Sequence, residues 1–506
     1  NERKLSKDKC DNRGTNLLLS TIKCENPIDM INWLISKFNF DINYRNKLGY
    51  NLIYTAAQYL NFKVIDWLIE KTDIDFYTPL YAGYNLIEEL KWRGLFHQDV
   101  PGTEELLMKE MVSGYVGFDP TADSLHIGNM VPIILLVHLQ RAGHKPYALV
   151  GGATGMVGDP SGKKAERMLL DLETLNHNLA CQKRQLEQFL DFNTESNSAE
   201  VVNNYDWFQN FGFLEFIRDV GKHISVNYMM AKDSVKNRLE EGMSFTEFSY
   251  QLVQGYDFYY LWKEKNVKLQ MGGSDQWGNI VTGTELIRRK GEGEDAKGYS
   301  LTAPLITKAD GSKFGKSEGG NVWLDAEKTS PYEFYQFWMN TTDADAERYI
   351  KIFTLHSKSL IDNMISAHQE APHQRALQKE LAKYVTTWVH GESGYATALA
   401  ATEILFGNGT SESLRSLSEK DFLSVFDGVK KSEVEEIEGV NIIDLCGDTG
   451  FLASKSEARR ALKENSISVN SEKVNEDFTF SNADLINGKY ILLQRGKKNK
   501  FLILKK

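Results

Sequence analysis

The chain has 506 residues, 42% of them hydrophobic and 25% charged, with a formal net charge of −10. That length exceeds one hydrophobic core and predicts three or four domains, and the acidic balance excludes a generally basic coat, so any RNA contact must be local. Four scattered cysteines (Cys10, Cys24, Cys181 and Cys446) lack Cys-x-x-Cys spacing, which argues against a zinc site or disulfide framework and fits a reducing cytosol; no apolar run approaches the ~20 residues of a membrane helix.

Residues 1–84 repeat themselves. Ile31-Asn32-Trp33-Leu34-Ile35-Ser36-Lys37 returns 34 positions later as Ile65-Asp66-Trp67-Leu68-Ile69-Glu70-Lys71, and Gly49-Tyr50-Asn51-Leu52-Ile53 returns as Gly83-Tyr84-Asn85-Leu86-Ile87. A period near 33, with a turn and two short helices such as those around Thr55-Ala56-Ala57 and Lys63–Leu68, resembles ankyrin repeats. Two units fall short of the roughly three needed for a stable stack, so this segment is expected to pack on the neighbouring domain or to be weakly stable alone. An unrelated helical extension is the alternative reading.

Residues 85–320 alternate apolar strand patterns, such as Tyr147–Val150, with amphipathic helices at Leu172–Phe189 and Phe211–Lys222. This pattern predicts an α/β domain with a parallel sheet. Residues 321–430 carry helix signals, as in Tyr332–Met339 and Arg375–Val389, and few strand signals. Lys430–Gly439 is charged and reads as a linker. Residues 440–506 form a small basic module: from Phe451 onward, twelve Lys and Arg oppose six Asp and Glu, a local balance of +6.

Two strings point to a nucleotide. Tyr115-Val116-Gly117-Phe118-Asp119-Pro120 ends a strand and leads to His126-Ile127-Gly128-Asn129, which opens a helix. Backbone N–H groups and the dipole at a helix start favour phosphate. His126 and Asn129, three apart, share a face within reach of a phosphoryl oxygen, and Gly128 admits close approach. Lys313-Phe314-Gly315-Lys316-Ser317 lies on a glycine-bearing loop whose cations can meet the charge developing on a leaving pyrophosphate.

These strings, with Gly151–Lys163, Gly272–Asn279 and Val226–Lys232, resemble those of bacterial-type tyrosyl-tRNA synthetases, which are class I aminoacyl-tRNA synthetases. The likeness runs from about Asn85 to the end. It implies a Rossmann-type parallel-sheet catalytic domain at 85–320, an α-helical anticodon-arm domain at 321–430 and a small α+β RNA-binding domain at 440–506, behind the ankyrin-like segment. It implies that Tyr115 and Asp257 bind the tyrosine phenol, that Asp159, Tyr250 and Gln254 accept the ammonium, and that Gln276 holds the carboxylate region. Asp119 and Asp275 are then expected at the ATP ribose and neighbouring groups, with Gly117, Gly128 and Gly273 lining the nucleotide. Thr121, His126, Asn129, Lys313, Lys316 and Ser317 are expected to act on the phosphates. The family often has His where this chain has Asn129, and Pro132 stands early in the following helix, where a proline is tolerated.

In the basic module, Lys455, Arg459 and Lys463 recur every fourth residue and, with Arg460, form a face suited to RNA. The resemblance implies ATP as substrate with Mg²⁺ arriving on it rather than in a protein-built metal site, tRNA(Tyr) and tyrosine as partners, a homodimer, a cytoplasmic location and no membrane contact. The N-terminal segment is expected to touch a protein partner. The alternatives are a tryptophanyl enzyme, against which Asp257 and the tyrosyl-type strings argue, and an inactive interaction protein on the same scaffold.

Overall fold

The computed structural model describes residues 85–159, 170–194, 196–232, 235–236, 242–293, 296–317, 320–405, 410–426, 429–496 and 499–506, and shorter stretches between 18 and 71. The chain divides into two compact units, Asn1–Lys308 and Ala309–Lys506.

At the N-terminus, α1 (Pro27–Phe38) and α2 (Phe62–Lys71) bury Ile31, Leu34, Val64 and Leu68 in one small core with Leu18, Ile22, Leu52 and Ala56. The repeated Ile-x-Trp-Leu strings are therefore two equivalent helices whose leucines share that core. Of the Thr55-Ala56-Ala57 helix only Ala56 is among the described residues; Gly49–Asn51, Gly83 and Tyr84 lie outside them. Asn85 caps α3 (Leu86–Arg93), accepting from the Glu88 N–H.

The rest of the first unit is built on a six-stranded sheet. Its strands are β1 (Gln98–Asp99), β2 (Ser113–Phe118), β3 (Lys145–Val150), β4 (Glu200–Asn203), β5 (Val267–Gly273) and β6 (Tyr299–Ala303), in the order β1-β6-β5-β2-β3-β4. All neighbours are parallel except β1 with β6. The longest helices between strands are α4 (Met130–Arg141), α5 (Leu172–Leu186), α6 (Phe245–Lys265) and α7 (Trp277–Lys290). Helix α4 is apolar on nearly every face, with Ile133, Ile134, Leu135, Leu136 and Leu139 all buried, as suits a helix pressed against a two-sided sheet. Pro132 falls in its first turn, where no intrahelical N–H is needed. Strand order reverses at β2, which lies between β3 and β5. In open parallel sheets such a reversal splays the following loops and leaves a crevice at the strands' carboxyl ends.

In the second unit, the hairpin of β7 (Lys316–Ser317) and β8 (Gly320–Asn321) precedes α8 (Pro331–Met339) and α9 (Asp343–Phe353). The helix expected over Arg375–Val389 runs further, as α10 (Ala376–Leu405), and bends at Gly391, whose φ of 72° belongs to the left-handed region. A five-stranded sheet comes next, from β9 (Lys431–Val434), β10 (Ile467–Val469), β11 (Glu472–Lys473), β12 (Tyr490–Arg495) and β13 (Asn499–Lys505), in the order β11-β10-β12-β13-β9. The reading of Lys430–Gly439 as a linker is corrected here. Lys431–Val434 runs parallel to Leu502–Lys505 as an edge strand. An edge strand exposed on alternate residues reads as a charged loop because its polar face meets water.

One face of that sheet covers α11 (Lys455–Lys463) through Ile467, Leu493 and Ile503. The other face shares a core with the helices: Tyr490, Leu492 and Leu502 join Tyr332, Ile404, Phe422 and Phe426. Glu419 accepts from the Tyr490 hydroxyl at 2.7 Å and Lys489 Nζ at 2.9 Å across the same seam. Leu492 is fully buried there. Leu492→Ala is expected to cost about 2–5 kcal/mol and to lower the unfolding midpoints of helical and sheet signals together. Urea titration followed by circular dichroism checks this; loss of the sheet signal alone would refute it.

Candidate functional site

The carboxyl ends of the strands gather most of the expected site residues of the first unit. Tyr250, Gln254 and Asp257 are spaced four and three apart on α6, so one helix face presents all three. The Tyr250 hydroxyl lies 3.3 and 3.2 Å from the two carboxylate oxygens of Asp119, just beyond β2. Thr121 closes the turn there, donating its N–H to the Asp119 carbonyl at 2.9 Å.

Asp257 is 1% exposed. Its Oδ2 accepts from Asn204 Nδ2 at 3.1 Å and its Oδ1 from Trp207 Nε1 at 2.9 Å. Burial pushes this carboxyl up to about 8; the two donors pull it down and the Asp119 charge raises it. Asn204 does more than hold Asp257. It donates to Thr154 Oγ1 at 3.1 Å and accepts from the Ala153 N–H at 2.6 Å, tying the glycine string after β3 to the same carboxyl. Tyr115, also 1% exposed, packs its ring 5.6 Å from that of Phe258. Burial first, then the Asp257 charge, drives its phenol well above the ordinary tyrosine value. The Tyr115 hydroxyl and Gln254 Oε1 are both buried and have no hydrogen-bond partner among the described residues.

A second cluster joins β5 to the loop after β3. Gln276 Nε2 donates to Asp159 Oδ2 at 2.7 Å, and Asn279 reaches Asp159 Oδ1 at 3.5 Å and Gln276 Oε1 at 3.4 Å. Asp275 is raised by burial and then by the Asp159 charge. Gly273 makes room for it: a Cβ there would lie 2.6 Å from Asp275 Oδ1. Gly117 is exposed, and a Cβ on it would meet only Leu149, at 3.8 Å. Pro160–Lys163, the end of one family-like string, lies outside the described residues.

His126 and Asn129 stand together as expected, and the structure adds a constraint. They form a capping box: His126 Nδ1 accepts from the Gly128 N–H at 3.0 Å and Asn129 Oδ1 accepts from the His126 N–H at 3.0 Å. Each side chain thus spends one polar atom on the backbone. A Cβ on Gly128 would sit 2.7 Å from the imidazole, so the glycine is needed for the cap itself.

In the second unit, Lys313 is exposed, Phe314 is half-buried, and Gly315 adopts φ 86°, a conformation that disfavours any side chain. Lys316 and Ser317 continue the chain as β7, in the hairpin with β8. On α11, Arg459, Arg460 and Lys463 are exposed. Lys455 is instead held by Asp444 at 2.9 Å and Asp448 at 3.1 Å, which sets it apart from the other three.

Sequence reasoning missed Asn204, Trp207 and Asn279. The available signal was Val201-Val202-Asn203-Asn204, a strand ending in two polar residues at the sheet edge where ligands bind. Among the described residues, no group of three His, Cys, Asp or Glu is arranged to hold a metal ion.

The Asp257 carboxyl keeps its proton up to about pH 8 when folded, against about 3.9 unfolded. Between those values only the native state holds this proton, so its contribution to stability falls as pH rises and levels off above 8. Asp257→Asn is expected to lose that slope, and Trp207→Phe, which removes a donor that favours the charged form, to extend it to higher pH. Denaturation midpoints across the neutral range test this; an Asn variant with wild-type pH dependence would refute it.

Comparison with known proteins shows the family. The profile of the family "tRNA synthetases class I (W and Y)" matches residues 108–407, that of the tyrosine–tRNA ligase SYY-like C-terminal domain matches 421–503, and that of ankyrin repeats matches 20–69. A tyrosine–tRNA ligase of Flavobacterium johnsoniae is 63% identical over 425 residues, covering 82% of this chain and 98% of its own. One from Bacteroides fragilis is 59% identical over 430 residues, covering 83% and 99%. Among solved structures, a C-terminally truncated mitochondrial tyrosyl-tRNA synthetase of Aspergillus nidulans superposes with a TM-score of 0.58 at 30% identity, over 67% of this chain and 97% of its own. The chain therefore belongs to the tyrosine–tRNA ligase family of class I aminoacyl-tRNA synthetases.

Proposed function

We propose that the carboxyl edge of the first unit's sheet binds tyrosine and ATP for the family reaction, with Tyr115 and Asp257 receiving the substrate phenol. The observation that carries this is the Tyr115 hydroxyl, buried beside Asp257 with no partner among the described residues. An unpaired buried hydroxyl is costly unless a ligand satisfies it. Phenylalanine would leave it unpaired, a discrimination for which tyrosyl-tRNA synthetases are themselves the standard example.

Tyrosine–tRNA ligation proceeds in two steps. The tyrosine carboxylate attacks the α-phosphorus of ATP; the bond to the β-phosphate breaks, giving tyrosyl-adenylate and pyrophosphate. A terminal ribose hydroxyl of tRNA(Tyr) then attacks the acyl carbon and AMP leaves. Asp159, Tyr250 and Gln254 take the ammonium in this reading, and Gln276 the carboxylate. The Asp159–Gln276 hydrogen bond supports placing those two groups close together. Asp119 and Asp275 take the ribose and its neighbours, lined by Gly117, Gly128 and Gly273. Thr121, His126, Asn129, Lys313, Lys316 and Ser317 stabilise the phosphates, and Mg²⁺ enters as part of the ATP substrate. No step requires a covalent nucleophile; positioning and electrostatics carry the barrier. Because Asn129 Oδ1 is engaged in the cap, its amide Nδ2 is the group left to donate to phosphate.

The basic face of Arg459, Arg460 and Lys463, with Lys455 at its acidic border, is the RNA-binding surface in this reading, and the helices of 321–430 serve the anticodon arm. We place the enzyme in the cytosol. No described helix is long and apolar enough to cross a membrane. Exposed Phe213 (66%), Leu214 (80%), Val226 (59%) and Phe245 (66%) support a homodimer. The ankyrin-like segment is a docking element for another protein.

ATP–pyrophosphate exchange tests the chemistry. Exchange should depend on tyrosine and not tryptophan, and Lys313→Ala with Lys316→Ala should lower it by about 100-fold or more while folding persists. Exchange driven by tryptophan alone would sink the reading. In sedimentation at micromolar concentration the chain should run as a dimer, and Leu214→Asp should shift it towards monomer.

A further inference from the structure

The lysine loop is fastened to the helices of the second unit at two places, and its exit is closed by hydrogen bonds within the hairpin. At its entry, the Ala309 N–H donates at 2.9 Å to Oδ1 of Asp345, a carboxylate 3% exposed whose Oδ2 accepts from Thr342 Oγ1 at the start of α9. At its exit, the Val322 N–H donates to the Gly315 carbonyl at 3.2 Å, and Lys316–Ser317 pairs with Gly320–Asn321. Between these, the Phe314 ring enters an aromatic cage. Its centroid lies 5.0 Å from that of Tyr349, 5.1 Å from Phe353 in a stacked arrangement, 5.8 Å from Phe337 and 6.0 Å from Trp338.

We infer that Phe314 is the positioning residue of this loop: its ring, held by α8 and α9, fixes where Lys313 and Lys316 are presented during adenylate formation. Several features favour this over a simple packing role. Trp338, Tyr349 and Phe353 are themselves buried, so the cage is rigid and is built by the helices rather than by the loop. Phe314 lies directly between Lys313 and the left-handed turn at Gly315, and Lys313 beside it is exposed. A single ring therefore sets the position of a short segment whose cations act only if they are placed to within a fraction of an ångström. Aromatic pairs at these separations resist displacement through both area and geometry. The hydrogen bonds at the two ends fix the loop's path and leave its middle to the ring.

The inference rests on the reading that Lys313 and Lys316 stabilise the leaving pyrophosphate, and the test separates the two. Single-turnover formation of tyrosyl-adenylate is followed across ATP concentrations in the full-length chain, with active sites counted and tyrosine affinity measured by equilibrium dialysis. Phe314→Ala is expected to slow adenylate formation about 10- to 100-fold with tyrosine affinity and site count unchanged. Phe314→Leu, which keeps an apolar anchor, should recover most of the rate. Phe337→Leu, which alters the cage at a half-buried position, should give a smaller loss in the same direction and keeps the test open if the Ala variant does not fold. A wild-type rate in Phe314→Ala beside a slow Lys313→Ala overturns the inference alone. So does a loss matched by lost sites or weakened tyrosine binding. A wild-type rate in Lys313→Ala removes the reading beneath it.

Discussion

A carboxyl group shut away from water at the edge of a parallel sheet is the constraint on which the candidate site depends. Asn204 and Trp207 both donate to Asp257, but burial outweighs the two of them, so it stays protonated to about pH 8. Removing a charged group from water is costly, and the surroundings must either supply donors or hold the neutral form. Here they do both in part. Asn204 passes the constraint on: through Ala153 and Thr154 it ties the chain leaving β3 to the same carboxyl. The position of the glycine string after β3 is thus linked to the depth of the pocket by hydrogen bonds rather than by loop sequence alone.

Topology explains why residues far apart in sequence meet there. β2 lies between β3 and β5, and the loops leaving those strands diverge from the reversal point. Asp119 follows β2, Ala153 and Thr154 follow β3, Asn204 follows β4, and Asp275 and Gln276 follow β5. Helix α6 then lays Tyr250, Gln254 and Asp257 across these ends. The two clusters around Asp257 and around Asp159 use the same device: buried carboxyl groups held by amide side chains, which donate without adding charge. Such networks fix geometry strongly because each unmade bond in a poorly solvated place is expensive.

At the helix start, groups suited to phosphate also serve as caps. His126 and Asn129 satisfy two backbone donors that the first turn leaves unpaired, which sets the angle at which the helix leaves the site. Asn at this position accepts the His126 N–H through its amide oxygen and keeps an N–H₂ for other use, so the departure from the commoner histidine is compatible with an intact helix start. The second unit has a similar economy. Its lysine loop is short and glycine-bearing, but an aromatic ring and a buried carboxylate hold it to the helices.

Much of this was legible in the sequence. Apolar strand patterns alternating with amphipathic helices announced a parallel α/β sheet. The 34-residue repeat announced two equivalent helices, and long family-like strings announced the ligase family. These signals are local: periodicity and turn chemistry are written in neighbouring residues. Tertiary structure decided what depends on distant partners. It selected Asn204, Trp207 and Asn279 as supports, set Lys455 between two aspartates, and turned an apparent linker into the edge strand β9. It also placed Phe314 in a cage drawn from residues 337–353. A sequence determines which groups are present and how they repeat, whereas burial, pairing and the resulting pKa shifts arise only once separate segments exclude water together.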